Sequence, residues 1–227
     1  LINEKQRPLL ESENFHLEIA SPGLLDILTF QPAPRQKPGP GEVEIEVSAT
    51  GLNFKEVLWA LNMLPTDGPI RFGLECAGKI VALGEGVNEF QIDDEVMAFT
   101  QAGFSAYVTV STSSAVPKPE HLTMEEAATV PVVFMTAYYA LHHLGRLCQG
   151  DRVLIHAAAG GVGLAAVQIA QMIGAEIFAT AGNPEKRAFL HSLGIEHVMD
   201  SRTLDFADAV MKQTHGQGVN VVLNSLA

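Results

Sequence analysis

Cysteine is nearly absent: two residues, Cys76 and Cys148, in a chain of 227. Two thiols give no disulfide framework, and the pair reads as two buried thiols in a reducing compartment. Positive charge is also scarce, with 14 Lys and Arg against 26 Asp and Glu, a net of -12. That balance excludes a general nucleic-acid surface, which needs clustered cations on phosphate, and a polybasic membrane attachment. No apolar run approaches the roughly 18–20 residues of a membrane-spanning helix. The opening LINEKQRPLL has no hydrophobic signal core. Charged residues make up 18% and apolar residues 47%, too apolar a balance for a disordered chain. The expectation is a soluble cytoplasmic chain, or a segment of one, with neither nucleic acid nor membrane as a partner.

Metal and nucleophile signatures are missing too. Of the eight histidines, His142 and His143 are adjacent and diverge on a helix. His156 lies in an apolar strand, and His191, His197 and His215 occur singly. None joins a close His/Cys/carboxylate cluster, so no metal is expected. No G-x-S-x-G elbow is present, and Ser192 and Ser225 lack supporting context. Cys76 beside Glu75 reads as a packed thiol rather than a nucleophile.

What is there divides into two halves. A short structured stretch surrounds SPGLLDILTF within residues 16–34, and the breaker-rich RQKPGPGE follows. EVEIEVSAT then alternates: Val43, Ile45, Val47 and Ala49 on one side, Glu42, Glu44, Glu46 and Ser48 on the other. That period predicts an antiparallel strand with one wet face. Further short strands are predicted over 77–83, 94–99 and 104–110, with a short helix at 55–62. Residues 1–119 therefore read as a small, barrel-like β domain.

The pattern changes after Pro119. Thr123-Met-Glu-Glu126 is a capping-box signature opening a helix over 124–129. Pro131 interrupts it, and 134–144 forms a second helical run. Apolar strands at 152–157, 176–181, 197–200 and 219–225 then alternate with helices near 162–173, 184–193 and 204–213. Such a series predicts a parallel sheet covered on both faces. Residues 120–227 read as a dinucleotide-binding domain. Four strands stand where such a domain usually has six, so its C-terminal part is expected beyond Ala227.

The sharpest motif is AAAGGVGLAAVQIA, residues 157–170. Within it Gly161-Val162-Gly163-Leu-Ala-Ala166 is a G-x-G-x-x-A fingerprint between a strand and an amphipathic helix. Gly161 would permit the tight turn, Gly163 a close pyrophosphate, and Ala166 tight helix–strand packing. At the end of the second strand an NAD site usually carries Asp or Glu. Here Thr180 is neutral, Lys186 and Arg187 follow, and Ser201 and Arg202 close the third strand. Cations and hydroxyls suit a 2′-phosphate, so NADPH is expected over NADH. Glu185 runs against this, unless it serves the helix start with Asn183 and Pro184. Asn53, just after the long strand, reads either as a polar contact near the nicotinamide ribose or as an Asx-turn serving its own loop. Thr136 would face the same cleft or bond back to its own helix.

Taken together, GLNFKEVLWALNMLP (51–65), GLECAG (73–78), PVVFMTAYYAL (131–141), VLIHAAAGGVGLAAVQIAQ (153–171), EKRAFL (185–190), VMDSRTLDF (198–206) and VVLNSLA (221–227) resemble the enoyl reductase domains of modular polyketide synthases. These belong to the zinc-free branch of the medium-chain dehydrogenase/reductase superfamily. Zinc-dependent relatives carry a cysteine where this chain has Asn53 and a histidine where it has Leu74. The resemblance implies a GroES-like β-barrel domain followed by a Rossmann domain. It places Asn53 and Thr136 near the nicotinamide, Gly161, Val162 and Gly163 beneath the pyrophosphate, and Lys186 and Arg202 near the 2′-phosphate. Asn224, Ser225 and Leu226 would line the cofactor cleft. The family usually has Arg-Asp where this chain has Lys55-Glu56. Where many members carry a tyrosine linked to delivery of the α-proton, this chain aligns Leu64. The family's proposed Lys and Asp donors lie beyond the NSLA segment, so no catalytic residue is assigned.

The activity implied is NADPH-dependent reduction of an enoyl thioester on an acyl carrier protein, among neighbouring polyketide synthase domains. The rivals are reductive cyclopropane formation from a γ-halogenated enoyl thioester, a free-standing quinone oxidoreductase, and a non-catalytic cofactor-binding domain.

Overall fold

The computed structural model describes residues 13–66 and 68–224. Two compact units, Leu1–Val132 and Val133–Ala227, account for the chain.

In the first unit, β1 (Asn14–Ile19) and β2 (Leu28–Ala33) form an antiparallel hairpin. Five more strands follow: β3 (Glu42–Thr50), β4 (Glu75–Leu83), β5 (Glu95–Phe99), β6 (Tyr107–Ser111) and β7 (Ala115–Pro117). They pair antiparallel in the order β6-β3-β4-β5-β7. The order puts β6 and β7 on opposite edges, yet only Thr112–Ser114 separate them. Four residue steps reach about 14 Å, whereas the edges of a flat five-stranded sheet lie about 19 Å apart. The sheet must therefore curl towards closure, as the barrel-like reading expected. Val43, Ile45, Cys76, Ile80, Val96 and Ala98 fill its interior.

β3 departs from a clean wet face. It is an internal strand, and Glu44 is buried. Arg35 makes that tolerable, donating from Nε and Nη2 to the two Glu44 carboxylate oxygens at 2.7 and 2.9 Å. Burying a charge requires such a partner. After β3 the chain enters α1 (Phe54–Ala60), and α2 (Met124–Ala127) precedes the end of the unit. The capping box at α2 is present in full. Thr123 Oγ1 accepts from the Glu126 amide at 3.2 Å, and Glu126 Oε2 accepts from the Thr123 amide at 2.9 Å. Pro131 opens α3 (Pro131–Tyr138), where a missing N–H costs nothing. A π-helical stretch, Tyr139–Leu144, completes the expected helical run.

The second unit carries β8 (Arg152–Ile155), α4 (Gly161–Ile173), β9 (Glu176–Ala181), α5 (Pro184–Ser192), β10 (His197–Asp200), α6 (Asp205–Gln213) and β11 (Val221–Leu223). The strands are parallel, in the order β10-β9-β8-β11. β8 and β9 carry apolar side chains on both faces, and both faces are covered, whereas Val222 of β11 is exposed. Val153, Ile155, Ile177 and Ala179 pack with α4 residues and Leu190. Leu154 and Phe178 face Val210 and Phe206 of α6. Each fully buried Val, Leu, Ile or Phe among them contributes roughly 1.5–3 kcal/mol by leaving water. β9 is the inner neighbour of β8, and β11 lies on β8's other side. The strand order therefore reverses beside β8, the place where open α/β sheets bind ligands. Among the described residues no helix is long and apolar enough to cross a membrane.

Candidate functional site

Parallel pairing brings every strand's C-terminal end to one edge of the sheet. That edge collects four loops: the glycine turn after β8, Gly182-Asn183 after β9, Ser201-Arg202 after β10 and Asn224 after β11.

The glycine turn opens the 13-residue helix α4 with Gly160 at the N-cap, and no side chain caps it. The first-turn amides of Gly161, Val162 and Gly163 therefore remain available at the positive end of the helix dipole. The geometry reassigns what each small residue does locally. The left-handed residue of the turn is Ala157, at φ 49°, and not Gly161. A Cβ on Gly163 would stand 2.6 Å from Ala158 Cα and 2.7 Å from its carbonyl carbon. Gly163 is thus required by the chain's own backbone. Ala166 is fully buried among the core residues against β8, as helix–strand packing demands.

At the neighbouring strand ends, Asn183 caps α5, its Oδ1 accepting from the Lys186 amide at 2.8 Å, with Pro184 in the first turn. Lys186 is exposed. Arg202 is exposed, and its guanidinium lies over Gly182, where a Cβ would stand 2.9 Å from Nε. The Arg202 amide donates to Asp200 Oδ1 at 2.8 Å, and the Ser201 amide to the Ala181 carbonyl at 3.3 Å. Arg187 is engaged elsewhere, with Asp200 at 3.0 Å and the Ala181 carbonyl at 3.1 Å. Thr180 is fully buried, and its hydroxyl meets His156 Nδ1 at 2.9 Å. Burial holds the His156 imidazole below its usual pKa, and His156 stands just beyond β8 rather than within it. Sequence reasoning missed Gly182, whose lack of a side chain makes room for Arg202. Asn224 is exposed after β11, Thr136 is exposed on α3, and Ser225 and Leu226 lie outside the described residues.

The first unit holds a separate polar cluster. Asn53 is the N-cap of α1 and shares a capping box with Glu56: the Asn53 side chain is set against the Glu56 amide, and Glu56 Oε2 accepts from the Asn53 amide at 2.9 Å. Asn53 Nδ2 donates to Glu75 Oε1 at 2.8 Å, and the Val132 amide donates to Glu75 Oε2 at 2.8 Å. Glu56 Oε1 accepts from the Gly73 amide. Glu56 and Glu75 are 1% and 2% exposed. Burial pushes the Glu75 carboxyl above its usual pKa, and the Glu56 carboxylate adds to this, while its two donors pull the other way. Gly51 makes room for the carboxylate: a Cβ there would stand 2.7 Å from Glu75 Cδ and 2.5 Å from the Ala128 carbonyl oxygen. Asn53 therefore serves its own helix start and also makes a tertiary contact 22 residues distant.

The cysteines differ from the expected buried pair. Cys76 is buried, its thiol pushed up to about 12 by burial, but Cys148 is exposed. Among the described residues no three His, Cys, Asp or Glu side chains stand together to hold a metal ion.

Residues 39–120 match the alcohol dehydrogenase GroES-like domain, and residues 161–227 match a family described as zinc-binding dehydrogenase. The crystal structure of CurK enoyl reductase superposes with a TM-score of 0.90 at 51% identity, over 95% of this chain and 68% of that one. The chain belongs to the enoyl reductase family of polyketide synthases, within the medium-chain dehydrogenase/reductase superfamily. JamJ enoyl reductase is similar at 44% identity and TM-score 0.86, over 95% of this chain and 68% of its own. CurF ER cyclopropanase from the curacin A pathway is similar at 43% and 0.85, over 94% and 68%. A mycocerosic acid synthase-like polyketide synthase of Mycobacterium tuberculosis is 44% identical over 92% of this chain. The chain spans a tenth of that relative's length. A quinone oxidoreductase of Pseudomonas syringae shares the fold at 29% identity and TM-score 0.81, over 92% of this chain and 65% of its own.

Proposed function

We propose that the chain contributes to NADPH-dependent reduction of the α,β double bond of an enoyl thioester carried on an acyl carrier protein. The observation that carries this reading is the 51% identity with CurK enoyl reductase over 95% of the chain. The uncapped start of α4 beside the strand-order reversal fits a dinucleotide. When bound, the reduced nicotinamide supplies a hydride to the β-carbon.

The residues have separable tasks in this proposal. The amides of Gly161, Val162 and Gly163 hold the pyrophosphate. Lys186 and Arg202, with the Ser201 hydroxyl beside them, take the 2′-phosphate and select NADPH over NADH. Thr180 backs that corner by fixing His156. Asn53 and Thr136 meet the nicotinamide end, and Asn224, Ser225 and Leu226 border the cofactor. The functional division into substrate and cofactor domains falls near residues 119 and 120, and neighbouring synthase domains in the cytoplasm deliver the carrier-bound substrate.

A second reading has its own support in the 43% identity with CurF ER cyclopropanase. On a γ-halogenated enoyl thioester, hydride at the β-carbon gives an enolate whose α-carbon can displace halide and close a ring. Leu64 can donate no proton to that carbon. The test is product mass after incubating the native full-length protein with NADPH and carrier-linked enoyl thioesters, with and without γ-chlorine. A gain of two hydrogens on both supports reduction. Chloride loss with ring closure on the chlorinated substrate supports the second reading. No turnover of either, despite NADPH binding, refutes both.

A further inference from the structure

Asp200 ends β10 opposite Ala181, the last residue of β9, and both oxygens of its carboxylate are engaged. Oδ2 stands 3.0 Å from Arg187 Nη1, and Oδ1 accepts from the Arg202 amide at 2.8 Å. A carboxylate that accepts from the amide two residues on closes an Asx-turn, which fixes the path of the chain. Arg187 holds the carboxylate in that setting, because the same Nη1 donates to the Ala181 carbonyl at 3.1 Å. The Ser201 amide donates to that carbonyl too, at 3.3 Å. The backbone that carries Arg202 is therefore tied at two successive amides before its side chain begins. The side chain then lies over Gly182, with Nε, Nη2 and Cζ 2.9, 3.3 and 3.4 Å from where a Cβ would stand.

We infer that Asp200 is a positioning residue for the choice of NADPH, acting through the Asx-turn that aims Arg202. The inference rests on the reading that Arg202 meets the 2′-phosphate. It sets two properties of one carboxylate against each other. As a charge, Asp200 repels phosphate, less so because Arg187 offsets it. As an acceptor, it fixes the direction from which Arg202 reaches. Substitutions separate the two. Asp200→Ala removes both charge and turn. Asp200→Glu keeps the charge and still meets Arg187, but its extra methylene opens the turn. Asp200→Asn discards the charge and keeps an oxygen for the Arg202 amide. If charge alone mattered, D200A would strengthen the preference for NADPH and D200E would leave it unchanged. Positioning predicts that both weaken it.

The experiment titrates nicotinamide fluorescence to obtain the Kd for NADPH and for NADH. It compares the native full-length protein with D200A, D200E, D200N, R202A and D200A/R202A. Circular dichroism confirms that each variant is folded. A charge-assisted phosphate contact is worth about 10- to 100-fold, and part of it goes when the turn opens. D200A and D200E are therefore expected to weaken NADPH by roughly 5- to 20-fold relative to NADH, and D200N by less than about threefold. If D200A folds poorly, D200E against D200N carries the same test. In the R202A background Asp200→Ala should no longer weaken NADPH, since nothing is left for the turn to aim. Parent-like preference in D200A and D200E, or equal losses for both cofactors, overturns the inference. So does a D200N that falls as far as D200E, or a D200A effect undiminished beside R202A. R202A weakening both cofactors equally overturns instead the reading of Arg202 beneath it.

Discussion

Gly163→Ala sets two effects against each other, and the structure says which wins. Alanine favours a helix over glycine by about 1 kcal/mol. The added methyl, however, would stand 2.6 Å from Ala158 Cα and 2.7 Å from the Ala158 carbonyl carbon. Ordinary van der Waals contact begins at 3.4 Å, and the Ala157 carbonyl oxygen stands closer still than Ala158, so the start of α4 must retreat by at least about 0.8 Å from backbone that cannot swing aside. Overpacking of this kind costs about 1–3 kcal/mol, and rigid neighbours put it near the top of that range. The net expectation is a loss of about 1–2 kcal/mol, with weaker NADPH binding because the retreat moves the first-turn amides. Gly161→Ala is the control. Its methyl would meet only Val133 Cγ1, at 3.2 Å, a side-chain tip that can give by a few tenths of an ångström. It is expected to change stability by less than about 0.5 kcal/mol. Urea unfolding of both variants, with fluorescence titration of NADPH, makes the comparison. A Gly163→Ala variant as stable as Gly161→Ala, or more so, would refute the steric argument.

Three further outcomes are expected. Arg202→Ala should raise the Kd for NADPH by about 10- to 100-fold, the worth of a charge-assisted phosphate contact, and leave that for NADH nearly unchanged; equal losses for both cofactors would remove Arg202 from the 2′-phosphate. The Glu75 carboxyl has a raised pKa in the fold, so the fold binds its proton more tightly than the unfolded chain does. Its contribution to stability is thus present below the unfolded pKa and lost as pH rises through the folded value. The denaturant midpoint of the parent, relative to Glu75→Gln, should therefore improve as pH falls through that window; a flat difference would contradict the burial effect. Iodoacetamide should label Cys148 in the native protein and Cys76 only after unfolding, since Cys76 is enclosed and its thiol is pushed up to about 12; mass spectrometry after native labelling reads this directly.

Legibility in the sequence followed how local the determining interaction was. The parallel unit could be read closely because its strands are apolar throughout and its breaks are marked by Gly174, Asn183-Pro184 and Gly194. The capping box at Thr123 involves neighbours only, and both it and the apolar strand at 197–200 stand where expected. The hairpin of β1 and β2 was harder: β2 carries Pro32, which disguises a strand. β7 is three residues long and ends on a proline. Glu44 looked solvent-facing because the alternation puts it on the polar face of its strand, and nothing local announces that Arg35 reaches it. The partner of Asn53 lies 22 residues on, and only the folded sheet brings Glu75 beneath it. Ala157 in a left-handed conformation is invisible for the opposite reason: nearby glycines attract that role on paper, and the chain gives it to an alanine.

The strand ends also bear on how such a domain can change over generations. Ser201 and Arg202 follow the last paired residue of β10, Gly182 that of β9, and Asn224 that of β11. Substitutions there leave every ladder bond and every core side chain in place. With the proposed 2′-phosphate contacts on that rim, cofactor preference could drift with little penalty to folding. Gly163 and the buried carboxylates have no such latitude, because the chain itself occupies the space around them. Selection acting on one such reductase can therefore retune which reduced dinucleotide it draws upon much faster than it can relocate the seat in which that dinucleotide rests.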